Sequence, residues 1–210
     1  MGAAKEINYF CKIYRKGHTP LNYDWRFPFG PGRHAWTLDV SPNYAKWPNS
    51  RQVPARIASL GAETKLAYIL REPVDRIESH IAHRMQAGAE TPNLEHCIRT
   101  SRYAMQLDKF VPHIARENIL LLDFEELQRD PNALLARVCE FLGIKPFIGN
   151  TLIHNTRGVD FRLDAYERAE LARLLRPDVE RLIGEYGFSP AERWLRKRPS
   201  GWFIPPAFLR

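Results

Sequence analysis

An arginine followed eight positions later by a serine is the most suggestive chemical juxtaposition in the chain: Arg71 and Ser79 in "LREPVDRIESH". A guanidinium is a planar, permanently charged fork of N–H donors suited to an oxyanion, and a hydroxyl can add a donor from another side. Arg71 closes an apolar run, and Ser79 falls about two turns into the helix that Pro73 is suited to begin, so the two could hold a phosphate between them. The same residues permit a plainer arrangement, in which Arg71 pairs with Glu72 or Asp75 and knits the turn. Spacing alone leaves both open. A second pair, Lys5 and Glu6 in "KEINYF", places a cation and a carboxylate directly before an apolar stretch.

These residues need elements to position them. "TKLAYIL" is a short, nearly continuous apolar run, which predicts a strand buried on both faces. In the segment after it, Val74, Ile77, Ile81 and Met85 recur at helical spacing and predict an inward stripe. A helical stretch around "LEHCIRTSRYAMQLDKFV" leads to a second buried strand, "NILLLDF". "RDPNALLARVCEFLGI" then predicts a helix with Asp130 as N-cap, Pro131 in the first turn and Gly143 as its stop. In "DAYERAELARLLRPDVERLIGEYGF", Leu171, Leu174, Leu175, Leu182 and Ile183 share one side, and Pro177 is expected to break or kink the helix. Buried strands alternating with amphipathic helices imply an α/β fold with a parallel sheet. Ligands in such sheets gather at the carboxyl ends of the strands, where Arg71 stands. Residues 15–55 are rich in Pro, Gly, Trp and Asn and read as loops of the kind that line a site. Trp25, Trp36, Trp47 and Tyr44 there can stack on sugar rings or lipid head groups, or pack down onto the core.

The bulk numbers bound the rest. A length of 210 residues suits a single domain, 1–210, and 44% hydrophobic with 26% charged residues is a globular composition. No apolar run approaches the length of a membrane span, and the N-terminus lacks an apolar leader. The three cysteines, Cys11, Cys97 and Cys139, suggest neither a disulfide framework nor a zinc site; the expected setting is reducing and cytoplasmic. A net charge of +7 favours anionic partners, or simply an arginine-rich surface. "RWLRKRPSGWF" interleaves aromatic and basic residues, but no nucleic-acid-binding signature accompanies it, so no nucleic-acid partner is expected.

Taken in order, "KEINYF", "DVSPNY", "KLAYILREPVDRIESH" and "LLLDFEELQRDPNALLARVCEFLGI" resemble the sulfotransferases that use 3′-phosphoadenosine 5′-phosphosulfate (PAPS), with most similarity to the bacterial and heparan-sulfate-type branch. The resemblance covers residues 5–145, and the final helix is similar too. It implies a P-loop-NTPase-like three-layer α/β fold, a parallel sheet flanked by helices. It also implies sulfuryl transfer from PAPS to a hydroxyl or amine of a small-molecule or carbohydrate acceptor, with 3′-phosphoadenosine 5′-phosphate as product and no metal. Arg71 and Ser79 match the residues that bind the nucleotide's 3′-phosphate, and Glu6 matches the general base on the acceptor hydroxyl. Lys5 either neutralises charge on the transferring group or is solvated. Phe124 stands where cytosolic relatives set an aromatic ring against the adenine, and reads equally as a core residue. "HNTRGVDF" faintly echoes the family's C-terminal nucleotide loop, through Arg157 and Gly158.

Ahead of the "KE" segment the family has a strand, a phosphate-binding loop of the type "K-x-G-T-T" and a helix, whereas this sequence has "MGAA". "FGPGR" is a poor substitute for that loop. The expectation is therefore a domain without its first strand-loop-helix unit. An edge at residues 66–70 or 120–122 would then be left for another segment, or another copy of the chain, to cover. Two functions stay open: a sulfotransferase, or a catalytically silent relative that binds an anionic nucleotide or sulfated ligand or acts as an interaction protein.

Overall fold

The computed structural model describes residues 8–12, 36–48, 50–149 and 161–196. Two strands, β1 (Leu66–Leu70) and β2 (Ile119–Asp123), form a parallel pair. The helices are α1 (Tyr9–Lys12), α2 (Val53–Ala58), α3 (Pro73–Gln86), α4 (Leu94–Thr100), α5 (Tyr103–Leu107), α6 (Phe124–Arg129), α7 (Pro131–Leu142), α8 (Ala165–Gly184) and α9 (Glu192–Arg196). This is the α/β architecture with a parallel sheet expected of the alternating pattern, and it is consistent with the P-loop-like fold that the resemblance implied. None of the described helices is long and apolar enough to cross a membrane. The residues group into two compact units, one from Met1–Ile69, Gln106–Leu122 and Glu126–Asn150, the other from Leu70–Met105, Asp123–Glu125 and Thr151–Arg210.

In the first unit, Tyr9, Phe10, Tyr44, Val53 and Ile57 are buried together with most of β2, and the Phe10 and Tyr44 rings meet edge to face with centroids 5.5 Å apart. Helix α7 runs between the signals that its sequence announces. Asp130 accepts a hydrogen bond from the Ala133 N–H at 3.0 Å, Pro131 occupies the first turn, and Gly143 takes the left-handed φ of 68° that ends the helix. Its last carbonyls, which have no partner within the helix, receive donors from elsewhere. Lys65 Nζ donates to the Phe141 oxygen and Trp36 Nε1 to the Leu142 oxygen, each at 2.7 Å. The lysine also lies over the Trp36 and Phe141 rings, at 5.0 and 5.1 Å, so a cation complements the negative end of the helix.

Strand β1 departs from its expectation. Leu66 and Tyr68 are partly buried and Leu70 is fully buried, but Ala67 is exposed and Ile69 is 44% exposed. The strand is covered on one face rather than two. Five apolar residues in a row satisfy a one-sided strand as well as a two-sided one, which is why composition could not separate them. Among the described residues each strand has one partner, so each keeps an outer edge.

The second unit is organised around α3. Val74, Ile77 and Ile81 form a core with Cys97 of α4 and Leu171 and Leu175 of α8. Met85 does not join them and is 46% exposed, because the last turn of α3 runs past the residues that cover the preceding two. Helix α8 starts in a capping box between Asp164 and Glu167 and continues through Pro177 without a break. Leu171, Leu175, Val179 and Leu182 face inward, while Leu174 is 42% exposed, outside the stripe expected for it. The expected helix around residues 94–111 is two helices: Ser101 turns back with its N–H and hydroxyl on Cys97, and α5 starts afresh. Asp178 supplies the new start from α8, since its carboxylate accepts the Ala104 and Met105 N–H groups at 3.0 Å each.

Candidate functional site

The turn from β1 into α3 is tied from within. Pro73 needs no N–H partner, and the Glu72 carboxylate accepts the N–H groups of Val74 at 3.1 Å and Asp75 at 2.6 Å. Burial pushes the Glu72 carboxyl above its ordinary range, and those two N–H bonds only partly oppose the shift. Arg168 of α8 lies 2.8 Å from Asp75, 2.6 Å from Glu78 and 3.9 Å from Glu72. Glu78 is almost fully buried and also receives Arg162 at 3.0 Å and the Leu163 N–H at 3.1 Å. The acids that the plainer reading offered to Arg71 are thus engaged by a distant arginine.

Arg71 stands half-buried one residue past β1, and Phe124 stands half-buried one residue past β2. The Arg71 guanidinium lies 5.0 Å from the centre of the Phe124 ring. A cation held over a ring loses rotamer freedom. The Arg71 carbonyl accepts the Tyr103 hydroxyl at 2.8 Å. Burial pushes that hydroxyl up to about 12, so it remains a donor across the working pH range. Phe124 is held in turn through its neighbours. Arg193 of α9 grips both Asp123 oxygens at 2.6 Å and reaches Glu125 at 3.0 Å, and Asp123 accepts the Glu125 N–H at 3.1 Å. Ser79 is half-buried on α3, and its hydroxyl has no partner among the described residues. A fixed, partly exposed guanidinium and an uncommitted hydroxyl on the same strand-turn-helix unit match the donor set of a phosphate site. Among the described residues no group of three or more His, Cys, Asp or Glu side chains is placed to hold a metal ion.

Lys5, Glu6, Arg157 and Gly158 lie outside the described residues. Two positions after Glu6, however, the backbone is firmly fixed. Asn8 adopts φ 52°, a left-handed conformation that asparagine tolerates better than most residues. Its N–H donates to Ser41 Oγ at 3.1 Å, and Asn43 Nδ2 donates to its Oδ1 at 2.8 Å. The Ser41 and Tyr44 hydroxyls both donate to Asp39, at 3.2 and 2.6 Å. The Tyr44 oxygen also accepts the Phe10 N–H at 3.4 Å, and Arg56 donates to the Phe10 carbonyl at 2.6 Å. Burial and the bond to Asp39 raise the Tyr44 pKa, keeping the hydroxyl protonated. Every polar side chain of "DVSPNY" therefore takes part in holding the segment that follows "KE".

Sequence reasoning passed over Arg193, Tyr103 and Arg168. One signal was available: "LLLDFEE" puts a carboxylate at the end of a buried strand, and such a charge requires a counter-charge from somewhere.

Comparison with known proteins bears on the family and the fold. The sulfotransferase domain profile matches residues 54–164, just over half the chain. Mouse heparan sulfate glucosamine 3-O-sulfotransferase 3B1 is 28% identical over 128 residues, covering 53% of this chain and 32% of that protein. Human bifunctional heparan sulfate N-deacetylase/N-sulfotransferase 2 is 27% identical over 170 residues, covering 70% of this chain and 19% of that protein. The chain thus spans a third or less of the length of these curated relatives. A solved sulfotransferase from Alicyclobacillus acidocaldarius shares the fold with a TM-score of 0.70 at 21% identity, over 90% of this chain and 87% of that one. The chain belongs to the sulfotransferase domain family.

Proposed function

We propose that this chain transfers a sulfuryl group from PAPS to a hydroxyl or amine of a carbohydrate or small-molecule acceptor. The observation that carries the reading is the Arg71–Phe124 stack at the carboxyl ends of the two strands, on the same unit as the Ser79 hydroxyl. Arg71 and Ser79 bind the 3′-phosphate of the nucleotide, and Phe124 holds the arginine while presenting the rest of its ring to the neighbouring base. Arg157 and Gly158 add contacts to the nucleotide. Glu6 takes the proton of the acceptor group as its oxygen or nitrogen bonds to sulfur and the sulfur–phosphate oxygen bond breaks, and Lys5 lies beside it in sequence. The "DVSPNY" network supports this assignment by fixing the chain two residues beyond that carboxylate. The acceptors named in the relatives, heparan sulfate among them, support a sugar as the acceptor class.

The test is calorimetric titration of the purified chain with 3′-phosphoadenosine 5′-phosphate, followed by transfer of labelled sulfate from PAPS to a panel of sugar and small-molecule acceptors. Arg71→Ala should weaken nucleotide binding by about 1.5–3 kcal/mol, the scale of hydrogen bonds to a charged group. Glu6→Gln should bind nucleotide normally but lose about a hundredfold or more in transfer rate. A wild-type chain that binds no nucleotide, or an Arg71→Ala variant that binds it as well as wild type does, would overturn the assignment.

A further inference from the structure

Tyr103 opens α5 and is only 3% exposed, and its hydroxyl reaches a carbonyl 32 positions earlier, that of Arg71, at 2.8 Å. That carbonyl lies between two elements. Strand β1 ends at Leu70, and the first acceptor in the hydrogen-bond ladder of α3 is the Glu72 carbonyl, which takes the Arg76 N–H at 2.9 Å. The helix therefore does not set the Arg71 carbonyl, and the Tyr103 hydroxyl holds it from another element. A phenylalanine would fill the same buried volume; what the tyrosine adds is this bond.

Three elements of the second unit aim the hydroxyl. From α3, Arg76 Nη1 donates to Thr100 Oγ1 at 2.8 Å and to Ser101 Oγ at 3.1 Å, and both of these side chains are buried, so the helix that follows Arg71 is tied to the junction of α4 and α5. From α8, the Asp178 carboxylate holds the Ala104 and Met105 N–H groups, which fixes the backbone on which Tyr103 stands. From α9, the Trp194 ring packs beside that of Tyr103 with centroids 6.2 Å apart, and lies 5.7 Å from the Phe188 ring. Arg193, the preceding residue, pairs with Asp123 and Glu125 on either side of Phe124. Consecutive residues of α9 thus act on the two partners of the Arg71–Phe124 stack. An arginine side chain is long and rotatable, and its tip is set most closely when the backbone at its root is also held. The Phe124 ring restrains the tip and Tyr103 the root. A donor ordered in advance leaves less entropy to be lost when a ligand binds.

We infer that Tyr103 is a positioning residue for nucleotide recognition: by holding the Arg71 carbonyl, its hydroxyl sets the guanidinium at the carboxyl end of β1 and sharpens the preference for a nucleotide that carries a 3′-phosphate. The identity of the ligand rests on the sulfotransferase reading; the positioning rests on the hydrogen bonds. The test titrates wild type, Tyr103→Phe, Arg71→Ala and the double variant with 3′-phosphoadenosine 5′-phosphate and with adenosine 5′-phosphate, which lacks the 3′ group. Tyr103→Phe should bind the first about fivefold more weakly, the scale of one neutral hydrogen bond, and the second as wild type does. Phenylalanine keeps the ring beside Trp194, and the ratio of the two affinities is read on one sample, so a general loss of folded protein weakens both and leaves the ratio unchanged. In the Arg71→Ala background Tyr103→Phe should change neither affinity further, because the hydroxyl acts through the side chain that has been removed. The inference is overturned if Tyr103→Phe keeps the wild-type ratio, or if its loss persists at full size without the Arg71 side chain. A wild-type chain that binds neither nucleotide, or both equally, would refute the 3′-phosphate reading of Arg71 and this inference with it, a result distinct from a wild-type preference that Tyr103→Phe leaves intact.

Discussion

Replacing Arg193 with methionine separates the stability of the second unit from the grip on the nucleotide. Methionine keeps most of the apolar stem and removes the charge that lies 2.6 Å from both Asp123 oxygens. Asp123 is 5% exposed and would retain only the Glu125 N–H among the bonds described for it. Deleting one partner of a fully buried ion pair costs about 3–5 kcal/mol. The Arg193 side chain is 37% exposed, so water can reach the vacated place, and about 2–3 kcal/mol is the better figure. For a chain of this size that lowers the unfolding midpoint by about 5–10 °C. The effect on function should be smaller and different in kind. In the proposed binding mode Arg193 does not touch the nucleotide; it fixes Asp123 and Glu125 on either side of Phe124, and so influences binding only through the ring beneath Arg71. The ceiling is the cation–π interaction itself, about 1 kcal/mol, or about fivefold in Kd. Differential scanning calorimetry gives the first quantity, and titration with 3′-phosphoadenosine 5′-phosphate well below the midpoint gives the second. An unchanged midpoint would mean that the Asp123–Arg193 pair is not desolvated. A loss of affinity as large as that of Arg71→Ala would mean that Arg193 contacts the ligand directly, and the positioning argument would fall.

Two further outcomes probe the scaffold. Burial lifts the Asp178 carboxyl above its ordinary value, against the opposing N–H bonds from Met105 and Ala104. A folded pKa above the unfolded one gives stability that is fully present below the unfolded pKa and lost as pH rises through the lifted value. Asp178→Asn removes that dependence, so the stability advantage of wild type over the variant should shrink from pH 4 to pH 8 in urea titrations; growth of the advantage would contradict the assignment. On β1, Ile69→Thr should cost no more than about 0.5 kcal/mol, because the side chain is 44% exposed, whereas Leu70→Ala should cost about 2–5 kcal/mol from a fully buried position. Equal losses at the two positions would show that both faces of the strand are covered.

What the sequence disclosed and what it withheld divide along the reach of the interactions. Asp130, Pro131 and Gly143 mark the ends of α7 through bonds to residues a few positions away, so a linear reading finds them. The strand-turn-helix unit that carries Arg71 and Ser79 was legible for the same reason, since its elements follow one another without interruption. The burial of β1 was not legible: "LAYIL" offers no polar residue to contrast with an apolar one, and period cannot be read from a uniform string. Nor was the split between α4 and α5, because the carboxylate that starts α5 comes from Asp178, 74 positions from Ala104.

The same distinction explains how the candidate site keeps its electrostatic character. Glu72, Asp75 and Glu78 follow Arg71 within seven positions, and Asp123 and Glu125 flank Phe124, so a linear reading surrounds the cation with acids. The fold directs those acids elsewhere. Arg168 faces the first three and Arg162 joins it on Glu78, while Arg193 takes Asp123 and Glu125. Three arginines distant in sequence thus engage five carboxylates beside the site. Each of these acids has an arginine within 4 Å, which reduces the negative charge around the turn without cancelling it. The contribution of α8 and α9 to the candidate site is therefore positional: their arginines hold the surrounding acids and, through Asp123 and Glu125, the ring that lies against Arg71.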